Sequence, residues 1–185
     1  AVSDTDVYDI SAAGAATAQS VTVTDGKLQT INFGDGTSNW LIMVNGVDDP
    51  LYYNGSTWTS VNAGTSPALN GGAGVTSADL INVSEYKGRL IFVEKDSLSF
   101  WYLASGAAGG DLTEFDLSSL CTRGGNLMWS ASWSFDGGDG PDDSCVFMTS
   151  EGEVIVYRGT DPSTAADWVL TGVYYVGKPI GRSEE

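Results

Sequence analysis

The densest group of potential ligands in the chain is Asp136-Gly137-Gly138-Asp139-Gly140-Pro141-Asp142-Asp143, four carboxylates within eight residues. Flexible, oxygen-rich loops of this kind suit hard cations such as calcium. The spacing does not match an EF-hand, and Gly and Pro here have the character of a hairpin connection. Asp136, Asp139, Asp142 and Asp143 are therefore expected to form a solvated acidic loop, with calcium binding as the sharper alternative. Asp48 and Asp49 before Pro50 read the same way, and no cofactor is expected.

Other chemistries lack their residues. The chain has no histidine, which removes the commonest general base, the Ser-His-Asp arrangement and most zinc sites. No glycine-rich loop ends in Lys-Ser or Lys-Thr, so a phosphate-cradling P-loop is missing. Glu85, Glu94, Glu114, Asp116, Glu151 and Glu153 could supply a glycosidase carboxylate pair, but most sit where a turn or strand end meets water, and nothing singles out two of them. Cys121 follows a polar turn and Cys145 lies in an apolar run, which predicts two reduced thiols, one of them buried, with a disulfide as the alternative. No catalytic residue is assigned, and the sequence reads as that of a non-enzyme.

Charge narrows the partners. Eight Lys and Arg face 24 Asp and Glu, a formal net charge of −16. The basic residues are scattered singly, without the cluster that nucleic-acid binding requires. No apolar run approaches the ~20 residues of a membrane-spanning helix, and the opening AVSDTD has no signal-peptide character. The absent initiator Met and the ending after Gly181-Arg182 suggest a processed or partial chain.

The elements that must position these residues are short strands. Glycine is abundant at 24 residues, charged residues make up 17%, and β-branched and aromatic types are frequent. Three segments share one plan, an apolar strand, a tight turn and an aromatic-rich strand: Trp40–Val44 with Leu51–Asn54, Arg89–Val93 with Leu98–Leu103, and Ser144–Met148 with Glu153–Tyr157. Asn45-Gly46 in the first turn is a strong hairpin signal. A strand-like stretch precedes each hairpin (from Lys27, Leu80 and Asn126) and another follows it (from Trp58, Leu112 and Trp168).

Met43, Phe92 and Phe147 are the equivalent anchors, 49 and 55 residues apart. That period and four strands per unit predict an all-β, β-propeller-like fold of repeated four-stranded antiparallel blades, about three of them complete. The units are an N-terminal partial blade at 1–26, repeats at 27–64, 65–120 and 121–182, and a tail at 183–185. Trp40, Phe92, Trp101, Phe147 and Tyr157 are expected in the core between blades. Three units and a remnant are fewer than the roughly four to eight blades of a closed propeller, so open faces and edges point to assembly.

The stretch from Val146 to Ser163, with Thr149-Ser150-Glu151-Gly152-Glu153-Val154-Ile155-Val156-Tyr157 at its centre, resembles a block of podovirus and prophage structural proteins. Trp168, Gly177–Arg182, Phe100–Leu103 and Glu114–Leu117 fit the same block. The family it resembles is the packaged-DNA stabilisation or tail-nozzle family of tailed phages. The resemblance implies a propeller-like subunit of a ring, typically a hexamer, below the portal. It further implies contacts with an adaptor or other tail proteins and passage of phage DNA without base recognition. Location in the virion tail, after assembly in the host cytoplasm, follows, with no membrane partner. The alternative from another class is a glycan- or receptor-binding propeller module.

Overall fold

The computed structural model describes residues 1–136 and 141–181, with the backbone alone at 135, 136, 141 and 142. The chain is all-β. Its only helical turn among the described residues is a 3-10 turn at Ser77–Asp79. Strands β1 (Val2–Ser3), β2 (Asp6–Asp9) and β3 (Thr17–Thr22) form an N-terminal three-stranded sheet. Three four-stranded sheets follow. The first holds β4 (Gln29–Gly34), β5 (Asn39–Val44), β6 (Leu51–Tyr53) and β7 (Trp58–Ser60). After a short β8 (Leu69–Asn70), the second holds β9 (Leu80–Tyr86), β10 (Arg89–Glu94), β11 (Ser99–Tyr102) and β13 (Thr113–Asp116). Between the last two lies β12 (Gly110–Asp111), which pairs in parallel with β8. The third holds β14 (Leu127–Asp136), β15 (Pro141–Thr149), β16 (Glu153–Arg158) and β17 (Val169–Tyr175).

Each four-stranded sheet is an antiparallel meander in chain order, and no connection within a sheet reaches the roughly dozen residues that a parallel crossover needs. The turns enforce this. Gly46 has φ +77°, and a Cβ there would collide with Ile81 of the next sheet, so the Asn45-Gly46 turn needs glycine for both its backbone and its packing.

The sheets stack face to face in the order of the chain, because alternate residues of a strand serve opposite faces. Met43, Phe92 and Phe147 occupy the second strand of the first, second and third sheet, and each faces the sheet before it. Met43 packs with Val7, Val23 and Leu51 beneath the N-terminal sheet. Phe92 packs with Ile42, Val44 and Tyr52 of the first sheet. Phe147 packs with Ile91, Val93 and Phe100 of the second, its ring stacked 4.3 Å from that of Phe100. Phe92 and Phe147 are fully buried, whereas Met43 is half-buried, since three short strands cover less of the first sheet than four cover of the others.

The sheets approach one another along their leading strands, with β9 packed against β4 and β5 on one side and β14 on the other. A polar bridge crosses the second contact. Asn82 Oδ1 accepts the Ser130 backbone N–H at 3.0 Å, and the Ser84 and Ser130 hydroxyls lie 2.7 Å apart. The strand orders are linear, and the described strands close into neither a barrel nor a ring.

Candidate functional site

The acidic run does not gather into a described site. Asp139 lies outside the described residues. Asp136 and Asp142 belong to β14 and β15, but their side chains also lie outside what is described. The Asp143 carboxylate accepts a hydrogen bond from the Ser134 hydroxyl. Among the described residues no group of three or more His, Cys, Asp or Glu is arranged to hold a metal ion.

The other carboxylates are engaged in local structure. Glu94 accepts the Trp101 indole N–H at 3.0 Å, and Glu114 accepts the Ser99 hydroxyl at 2.7 Å. Glu151 pairs with Lys178 at 2.6 Å, and Asp116 accepts the backbone N–H and hydroxyl of Ser118. Glu153 is only 3% exposed, and accepts the Thr122 N–H and hydroxyl and the Arg123 N–H, which ties the 121–126 turn to β16. Glu85 stands exposed on β9.

Asp48 and Asp49 differ from the solvated turn the sequence suggests. Burial pushes the Asp48 carboxyl up, but hydrogen bonds from Thr24 and Asn45 outweigh it and hold the group below the usual carboxylate range. Asp49 accepts from Ser77 and from Asn62 at 2.9 Å. The two side chains thus latch the first hairpin to the segments on either side of the first sheet. Apart from Asn45, their partners lie 13 to 28 residues away, beyond the reach of a local sequence pattern.

Both cysteines are buried and unpaired with each other. Burial, followed by the nearby Glu153 and Asp116, pushes the Cys121 thiol up to about 11, and burial raises Cys145 further. Neither forms a nucleophilic thiolate at neutral pH. Phe92, Trp101, Phe147 and Tyr157 are buried between sheets, and Trp40 packs at the edge of the same core. Their rings are spent on packing. A cleft of about 300 Å³ opens where turns of the three four-stranded sheets converge, near Asn45, Lys95, Asp96 and Asn126. Its polar lining is largely self-satisfied, with the Asn45 amide donating to Asp25 and Asp48 and that of Asn126 to Asp96.

The feature that stands out is a face. On the side of the third sheet away from the second, two cross-strand rows run Ala131, Val146, Val156, Gly172 and Trp129, Met148, Val154, Tyr174. None of these residues is charged. Trp133 continues the β14 row of the same face and is 59% exposed, and Tyr174 is 53% exposed. Sequence reading placed these residues in strands. Which face would stay open is a property of the stack and has no local signal.

Comparison of the chain with protein-family models, curated proteins and solved structures gives no match.

Proposed function

We propose that the chain is a structural protein of a tailed-phage virion, a subunit of the tail nozzle or hub whose sheets act as blades of a propeller-like body. The observation that carries the reading is the serial stacking of three four-stranded meanders, each covering the one before, with Trp133 and Tyr174 left exposed on the outer face of the last. Close approach along the leading strands β4, β9 and β14 suits blades fanning from an axis. A face of this kind suits a protein that works inside an assembly. The Val146–Ser163 block that resembles the tail-nozzle family lies in β15 and β16 and the loop that follows them. In such a ring, typically of six copies, the excess of 24 acidic over 8 basic residues would keep DNA from adhering to the conduit wall. The carboxylates and thiols described above are taken up by structure, which favours a mechanical role over catalysis.

Mass spectrometry of purified virions from the phage or induced prophage that encodes the chain tests this, together with class averages of the isolated assembly. Stoichiometric presence in the tail and ring-shaped averages are expected. Absence from particles would overturn the reading in favour of a glycan- or receptor-binding module, which a glycan array would then reveal.

A further inference from the structure

Asparagine is followed by glycine at three places, Asn45-Gly46, Asn54-Gly55 and Asn70-Gly71, and their surroundings tell them apart. With no side chain on the second residue, its backbone nitrogen can reach the asparagine Cγ and close a five-membered ring. Asn54 lies exposed at the tip of the hairpin that joins β6 to β7. Gly55 holds φ +95° there, and nothing lies within 4 Å of where a Cβ would stand. The Asn54 Oδ1 accepts the Ser56 and Thr57 backbone N–H groups at 3.0 and 2.9 Å, and their hydroxyls at 3.1 and 3.3 Å. The Asn54 Nδ2 and the Gly55 N–H donate to no group among the described residues. We propose that Asn54 is a modification site, at which the chain deamidates itself through a cyclic imide formed with Gly55.

Water is the only other reactant. The Gly55 nitrogen gives its proton to solvent base and attacks Asn54 Cγ, which forms a C–N bond and places negative charge on Oδ1. Donors already face that oxygen, so the charge is met as it develops. The Cγ–Nδ2 bond then breaks, and Nδ2 takes a proton from water and leaves as ammonia. Water opens the ring at either carbonyl, giving aspartate, or isoaspartate with the backbone routed through the side chain. The other two pairs are held back. Asn45 is 4% exposed, its Nδ2 donates to the Asp25 carbonyl at 2.9 Å and to Asp48 at 2.8 Å, and Gly46 is packed against Ile81. Asn70 is exposed, but its Nδ2 donates to Asp111 at 2.8 Å, and Gly71 is crowded by Val75. In both, the leaving nitrogen is bound and the glycine is confined. Isoaspartate at 54 lengthens the backbone of the turn that leads into β7, where Trp58 donates to Gln19 of β3 at 3.2 Å, so the change bears on the hold of the N-terminal sheet.

Nothing in this chemistry depends on a place in a phage tail. The test is to hold the 185-residue chain in mildly alkaline buffer, native or unfolded in urea, and to follow each asparagine by peptide mass spectrometry. Digestion after aromatic residues frees the segment 54–58 for this purpose. In urea the three pairs should convert at similar rates, since the reactive dipeptide is the same. In the native chain Asn54 should convert about tenfold or more faster than Asn45 and Asn70, to a mixture of aspartate and isoaspartate, and faster still as pH rises. The native chain should also acquire a species that elutes later from an anion exchanger, and Asn54→Gln, folded by circular dichroism, should not. An Asn54 as slow as Asn45 in the native chain, a product that is aspartate alone, as direct hydrolysis would give, or a late-eluting species formed equally by Asn54→Gln would overturn the proposal.

Discussion

The two ends of the stack meet water differently. At the N-terminal end a sheet of three short strands covers Met43, Leu51 and Trp58 and turns a polar surface outward. At the C-terminal end, long strands β14 and β15 carry an apolar row on both faces, and on the outer one Val146 is buried while Trp133 is 59% exposed. The N-terminal sheet turns its apolar residues inward and its polar ones to water. The C-terminal sheet instead holds large apolar side chains in water at Trp133 and Tyr174.

The largest expected effect probes the unequal depth of the two end interfaces. Phe147→Ala should lower the unfolding free energy by about 3–5 kcal/mol, because the ring is fully buried against Phe100. The equivalent Met43→Ala should cost only about 1–2 kcal/mol, since its side chain is half-buried. Equal losses in denaturant titrations would erase the distinction between the ends. Next in size is Asn82→Ala, which leaves the buried Ser130 N–H without its acceptor and should cost about 1–3 kcal/mol. A loss in Asn82→Ser as large as in Asn82→Ala would indicate that the amide's reach across the sheets matters.

A smaller effect concerns the latch at the N-terminal end. The Asp48 carboxyl is depressed in the folded state, so its contribution is fully present above the unfolded value near pH ~4 and fades as pH falls through the native value. Asp48→Asn should therefore be less stable than wild type at neutral pH, and the gap should close in acid. A gap that widens on acidification would reverse the assigned sign. Smallest is Trp133→Ser, which should change the stability of the isolated monomer by no more than about 0.5 kcal/mol, measured at a concentration below self-association. A larger loss would mean that Trp133 packs within its own molecule.

Much of this fold is legible in the residues. The hairpin at Asn45-Gly46, the apolar runs at Leu90–Val93 and Cys145–Met148, and the flanking strands from Leu80 and Trp168 all coincide with observed strands and their pairing. Local propensity and turn chemistry decide such features. The roles of Asp48 and Asp49 were not legible, because their partners Thr24, Asn62 and Ser77 come from separate segments. The direction in which Met43, Phe92 and Phe147 all point was also hidden. Strand periodicity assigns residues to two faces but does not say which neighbour covers each. The exposed Trp133 and Tyr174 follow from that same hidden choice, since their strands look like the covered ones.

One consequence concerns the loop Ser11–Ala16, which joins β2 to β3 and is exposed throughout. A cut there would leave β1 and β2 held without a covalent link, chiefly by the pairing of β2 with β3, and their departure would uncover Met43 and Leu51. The molecule would then gain at this end an apolar patch that the intact chain keeps covered. Limited proteolysis at this loop should therefore raise self-association, visible as earlier elution in gel filtration.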